Sequence, residues 1–150
     1  VQFKIKNYKE AKEYFNKAVI QLNKTLPDVH AWLAISYYWL GKTFIELKDF
    51  KNAGLNLGNC LHIRKKVFPE GNYLIYVTEG ELGINYYYQN NFSDAEKLLL
   101  SAYNGNKTAE GGTINNKKRF AEYLLKVNEK KNDSEKVQSY KTIVENLSQK

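Results

Sequence analysis

The sequence holds no methionine, one cysteine and two prolines in 150 residues. One cysteine excludes an internal disulfide, so packing alone must hold the chain together. The two prolines, Pro27 and Pro69, leave long stretches in which a helix can run unbroken, and both are read as lying between helices. With no initiator residue, the chain is expected to be a fragment of, or processed from, a longer one. No apolar run approaches the roughly 20 residues of a membrane span. The start shows no signal-peptide pattern, and the cytoplasm is the default compartment, which a missing N-terminal region would overrule. Histidine is scarce too. His30 and His62 have no Cys or His partner at metal-ligand spacing, so no metal and no cofactor is expected. No nucleophile, base and orienter can be assembled from them and Cys60. Protein-kinase signatures are absent. Gly41-Lys42-Thr43 matches the end of a phosphate loop, but Ser36 stands where that motif needs its first glycine. The chain is therefore read as having no catalysis of its own.

What is present is a period. Displaced by 42 residues, the chain falls on itself. Asn7, Asp49, Asn91 and Asp133 share one column, and their side chains suit the opening of a helix, where free N–H groups need an acceptor. Tyr8, Phe50 and Phe92 follow, with Ser134 as the weakest copy. Ala11, Ala53, Ala95 and Val137 come next, then Ala18, Cys60, Ala102 and Val144; small side chains on one face let two helices approach closely. Cys60 is thus read as a buried apolar contact rather than a reactive thiol. Before each of these helices runs another. Leu33, Tyr37, Leu40, Gly41 and Phe44 recur at helical spacing, as do Ile75, Glu79, Leu82, Gly83 and Tyr86. The unit is helix, short turn, helix, and a fixed period of this size marks a stacked repeat array.

Taken in order, the pattern predicts helices from Asn7 to about Thr25, His30 to Leu47, Phe50 to Val67, Tyr73 to Gln89, Phe92 to about Tyr103, Ile114 to about Lys130 and Ser134 to Leu147. Val1 to Lys6 reads as a frayed lead-in. Asn104 to Gly112, with its Asn-Gly and Gly-Gly pairs, reads as the longest loop. The expected organisation is one array over 1–150: an orphan helix 7–25, then hairpins 28–68, 70–110 and 112–150. Net charge is +7, which favours acidic partners without setting the fold. Arg64-Lys65-Lys66 and Lys117-Lys118-Arg119 are read as solvated helix ends, the first favoured by its place at a helix C-terminus.

Tyr37-x-x-Leu40-Gly41-x-x-Phe44, followed by Phe50-x-x-Ala53 and Cys60, resembles the tetratricopeptide repeat (TPR), and Leu82-Gly83-x-x-Tyr86, Phe92-x-x-Ala95 and Ala102 resemble it again. The 42-residue unit is similar to the longer repeats of kinesin light chains. The segment Ile63 to Asn72 also resembles repeats in non-catalytic regions of some bacterial serine/threonine kinases and regulators. The chain departs from kinesin light chains where Tyr38-Trp39 and Gly80-Glu81 replace paired asparagines. The last repeat has Leu124-Leu125 in place of Leu-Gly. The resemblance implies an all-α, right-handed superhelix of about seven helices, a TPR-like α-solenoid whose first helices line a concave groove. It places Tyr38, Trp39, Lys42 and Glu46 on that surface, then Glu81, Ile84, Tyr87 and Tyr88, then Arg119, Tyr123 and Lys126. The implied role is a scaffold module that binds a protein or peptide, acidic or aromatic-containing. The alternatives are a regulatory segment of a larger signalling enzyme, such as a bacterial kinase, or a basic nucleic-acid-binding module; nucleic acid is the less favoured partner and a membrane is not expected. Oligomeric state is left open.

Overall fold

The structure, a computed structural model, describes residues 7–108 and 113–149. Seven helices follow one another: α1 (Tyr8–Thr25), α2 (Ala31–Glu46), α3 (Phe50–Val67), α4 (Tyr73–Tyr88), α5 (Phe92–Thr108), α6 (Ile114–Lys131) and α7 (Ser134–Ser148). The described residues contain no strand. The expected lead-in at Val1 to Lys6 and the Gly111-Gly112 pair lie outside the described residues. The chain forms two compact units, residues 1–70 with α1 to α3 and residues 71–150 with α4 to α7.

Each column of the period has a local physical cause. Asn7, Asp49, Asn91 and Asp133 accept from the backbone N–H three residues ahead, at 3.4, 3.1, 3.4 and 3.1 Å. Each thereby satisfies one of the donors that a helix start leaves free. The hairpin turns just before the last three caps are equally regular. Lys48, Asn90 and Asn132 take φ of 60°, 60° and 56°. At Lys48 and Asn90 the chain leaves one helix and enters the next within three residues, at Asn132 within two. The first helices of the hairpins are capped by other chemistry. His30 Nδ1 accepts from the N–H of Trp32, Asn72 Oδ1 from Leu74, and Thr113 Oγ1 from Asn116.

The glycine column is a packing device. A Cβ on Gly41 would stand 2.6 Å from Leu57 Cγ, and one on Gly83 would stand 2.8 Å from Leu99 Cγ. These two positions, one repeat apart, are where α2 meets α3 and α4 meets α5 with almost no space between. Leu57, Leu99, Ala53, Ala95, Cys60 and Ala102 are completely buried beside them. In the second unit the core continues through Ile84, Phe120, Leu124 and Val127.

The expected loop at Asn104 to Gly112 is shorter than its glycines suggest, because α5 runs on to Thr108. Gly105 sits inside that helix with the Tyr76 ring packed where its side chain would be. Here glycine makes room for a neighbour rather than a turn.

Candidate binding surfaces

In the second unit α4 lies against α6, and polar and aromatic residues of the two helices meet there. Glu81 on α4 is 1% exposed. Such a buried carboxylate requires a partner, and Arg119 on α6 supplies one through both terminal nitrogens: Nη1 bonds Oε1, and Nη2 lies 3.0 Å from Oε2. A forked guanidinium held in this way has little rotational freedom left. Beneath this pair Gly80 receives the ring of Phe120, which occupies the place of its missing side chain. Glu79, also buried, accepts from Ser101 Oγ at 2.7 Å.

Further along the same two helices three tyrosines gather. Tyr87 and Tyr123 meet edge to face at 5.5 Å between ring centres, Tyr87 and Tyr88 at 5.5 Å, and Tyr88 and Tyr123 at 6.1 Å. The Tyr88 and Tyr123 hydroxyls lie 2.7 Å apart. Burial, followed by that hydrogen bond, pushes the Tyr123 phenol above its ordinary pKa. Lys126 places its ammonium 4.4 Å from the Tyr123 ring centre, within the range of a cation–π contact. Tyr87 and Tyr123 are half-buried, while Tyr88 is 42% exposed and Lys126 is exposed.

In the first unit the corresponding residues are arranged differently. Trp39 is half-buried and stacks on Phe15 of α1, with centroids 6.4 Å apart and ring planes within 16°. Tyr38 is buried, and the guanidinium of Arg64, itself buried, lies 4.7 Å from its ring centre. Lys42 reaches over both rings, at 5.5 Å from Tyr38 and 5.8 Å from Trp39. Glu46 is exposed at the end of α2 and bonds Tyr8, whose phenol is raised by burial and by that carboxylate. His62 borders an open cavity of about 180 Å³ together with Asn23, Asp28, Tyr37, Asn59 and Ile63.

The surface expected from the sequence therefore sorts itself by exposure. Ile84, expected on the ligand surface, is fully buried in the second unit's core. Glu81 and Tyr38, expected there too, are buried and hold Arg119 and Arg64 in place. Tyr87, Tyr88, Arg119, Tyr123 and Lys126 come together in the second unit; Trp39, Lys42 and Glu46 are accessible in the first. Sequence reasoning missed Phe15 and Arg64 as partners of Trp39 and Tyr38, since both come from second helices, which the repeat logic assigned to packing. Buried Cys60 and the capping role of His30 agree with their expected structural places. Among the described residues no group of three or more His, Cys, Asp or Glu is placed to hold a metal ion. No described helix is long and apolar enough to cross a membrane.

No family model matches the chain, and no curated protein does. Solved structures do. BtubC (BKLC) from P. vanneervenii matches with a TM-score of 0.88 over 98% of this chain at 15% identity. A kinesin-light-chain-like protein with nearly identical TPR-like repeats, from Podosopora anserina, matches in two forms. One is a point variant, with a TM-score of 0.79 at 18% identity over 97% of this chain and 68% of its own. The other has a TM-score of 0.62 at 15% identity over 98% and 90%. The fold is the TPR-like helical repeat. At these identities the likeness is one of fold alone, and the TPR-like chain spans 59% of BtubC.

Proposed function

We propose that the chain is a protein-interaction module that holds an acidic or aromatic-containing peptide against the α4–α6 surface of its second unit. The observation that carries this reading is the tyrosine cluster Tyr87–Tyr88–Tyr123, flanked by Lys126 and by an Arg119 that Glu81 keeps in one orientation. Aromatic and arginine side chains dominate binding energy at interfaces. Fixed in advance by one another, these groups lose little conformational entropy when a ligand arrives. The positive rim and the net charge of +7 favour a ligand of negative charge. Action by binding rather than catalysis is supported by the uses already made of the reactive groups. Cys60 is inaccessible, His30 caps α2, and Glu79 and Glu81 are held by Ser101 and Arg119. The cytoplasm is the proposed setting, since the single thiol requires no oxidising compartment.

A peptide-display selection on the purified chain tests the reading. Selected sequences should be enriched in Asp, Glu and aromatic residues. Their affinity should fall roughly tenfold or more, about 1.4 kcal/mol, on Tyr87→Ala combined with Lys126→Ala, with helicity by circular dichroism unchanged. Selected peptides without acidic or aromatic bias, or equal affinity for the double variant, would remove the α4–α6 surface from consideration.

A further inference from the structure

The open cavity of the first unit, about 180 Å³, is walled by groups from three helices and a loop. Asn23 comes from α1, Asp28 from the loop after it, Tyr37 from α2, and Asn59, His62 and Ile63 from α3. Because α2 packs on both α1 and α3, the two outer helices form the sides and Tyr37 lies between them. Ile63 is buried, Tyr37 is half-buried and the other four are exposed. Asn23 Nδ2 donates to the Tyr37 hydroxyl at 3.3 Å, which leaves the Asn23 carbonyl oxygen as an acceptor. Among the described residues no Lys or Arg pairs with the Asp28 carboxylate, and no hydrogen bond holds the Asn59 or His62 side chain.

Stacking does not demand this lining. One period on, Glu79 and Ser101 take the places of Tyr37 and Asn59 and close on one another at 2.7 Å. Two periods on, Ala121, Ile143 and Leu147 take the places of Tyr37, Asn59 and Ile63. Ala121 is completely buried, and Ile143 and Leu147 are half-buried. The repeat thus satisfies these positions by mutual pairing or by apolar packing. In the first unit Tyr37 and Asn59 do neither, and line a cavity instead.

We propose that this cavity is a second binding site, distinct from the tyrosine surface, and that it takes the guanidinium of an arginine side chain on a partner protein. Asp28 carries the lining's one acidic group, so an anionic ligand would meet a like charge. An apolar one would strip water from Asp28, Asn23 and Asn59 without replacing it. A cation with several donors suits the acceptors: both Asp28 oxygens, the Asn23 and Asn59 carbonyl oxygens and the Tyr37 hydroxyl. An ammonium, close to a water molecule in size, would fill only about 30 Å³ of the space. A guanidinium is larger and planar, forks onto a carboxylate and stacks on a flat ring such as that of His62. The net charge of +7 opposes a cation at long range, but at 0.15 M salt the Debye length of about 8 Å screens it while sparing the contact with Asp28.

The probe is the blocked tripeptide acetyl-Gly-Arg-Gly-amide, titrated into the full chain at 0.15 M salt and followed by NMR. The side-chain amide signals of Asn23 and Asn59 and the ring signals of His62 should shift saturably in the millimolar range. The citrulline tripeptide has the same shape without the charge and should bind roughly fivefold more weakly or worse. Asp28→Asn should cost the arginine peptide as much. Asn59→Asp, which adds a second carboxylate, should tighten it, and Asn59→Ile, which installs the apolar residue of position 143, should abolish it. Asp28 and Asn59 are exposed, so the melting temperature should confirm that all three variants fold. Absence of a saturable shift would overturn the proposal, as would equal binding of the citrulline peptide or equal binding by Asp28→Asn. A lysine tripeptide bound equally well would make the site one for any cation, and a glutamate tripeptide bound in preference would reverse its sign; either result overturns the assignment. Free L-arginine bound more tightly than the tripeptide would replace the partner protein with the amino acid. Every signal read lies in the first unit, so this site and the tyrosine surface stand or fall separately.

Discussion

Glycine has opposite roles at different places in this chain, and substitution reads the difference. Gly83 lies in a helix, where alanine would gain about 1 kcal/mol of helix propensity. Its added Cβ would stand 3.1 Å from the Leu99 nitrogen and 3.2 Å from the Ala95 carbonyl oxygen. These are backbone atoms, which cannot rotate away, so the helices must part, at a typical cost of about 1–3 kcal/mol for overpacking. Gly83→Ala is therefore expected to lower stability in a denaturant titration. Gly58 lies inside α3 with nothing within 4 Å of an added Cβ. Gly58→Ala should raise stability by up to about 1 kcal/mol, so the same exchange should give opposite signs. The turn residues offer a third case. Lys48 holds the left-handed backbone that Asn90 and Asn132 hold at the equivalent positions. Asparagine visits that region at lower cost than other side chains, and Lys48→Asn should stabilise by about 0.5–1 kcal/mol. A loss of stability in that variant would mean that the lysine side chain contributes a contact worth more than the strain.

The helices themselves were legible in the sequence wherever their cause is local. The Asn/Asp caps and the Leu-Gly pairs act within one turn or across one hairpin, so a column of identical chemistry announces them. The end of α5 was misread because Asn104-Gly105 has turn chemistry, and only the Tyr76 ring, 29 positions back in the chain, explains why glycine is there. The site was less legible for the same reason. The period assigns Ile84, Tyr87 and Tyr88 to one helix, but burial by α5 and α6 decides that Ile84 is core. The α5–α6–α7 clasp is also invisible to periodicity. Glu96 of α5 accepts from Lys131 at the end of α6 and from Lys136 at the start of α7, the latter at 2.7 Å. Burial alone would push the Glu96 carboxyl up; the two lysine hydrogen bonds outweigh it and hold the carboxyl below its ordinary value of 4.5. A carboxyl with a lowered folded-state pKa contributes stability that is present above the unfolded value and lost as pH falls through the folded one. The chain should accordingly lose stability on acidification below about 4.5, and Glu96→Gln should flatten that part of the curve. Both lysines are partly exposed, so the loss at neutral pH should stay near 0.5–1 kcal/mol. A Glu96→Gln variant with an unchanged acid limb would show that other carboxylates dominate it.

At the scale of the whole molecule, net charge and local contacts act on different steps of binding. A chain of charge +7 attracts an anionic ligand over the Debye length, about 10 Å at 0.1 M salt, and so accelerates encounter. The tyrosine cluster acts only after contact, through close packing that salt does not screen. For an acidic peptide selected on the α4–α6 surface, the association rate should therefore fall roughly tenfold or more as salt is raised from low to physiological strength. The dissociation rate should hardly move. Lys126→Ala should reduce the salt slope while leaving most of the residence time, and Tyr87→Ala should do the reverse, shortening residence at an unchanged slope. Stopped-flow measurements at several ionic strengths separate the two. If the dissociation rate climbs with salt while association stays level, the ligand is held by Lys126 and Arg119 directly, and the tyrosines serve to position those cations rather than to anchor the peptide.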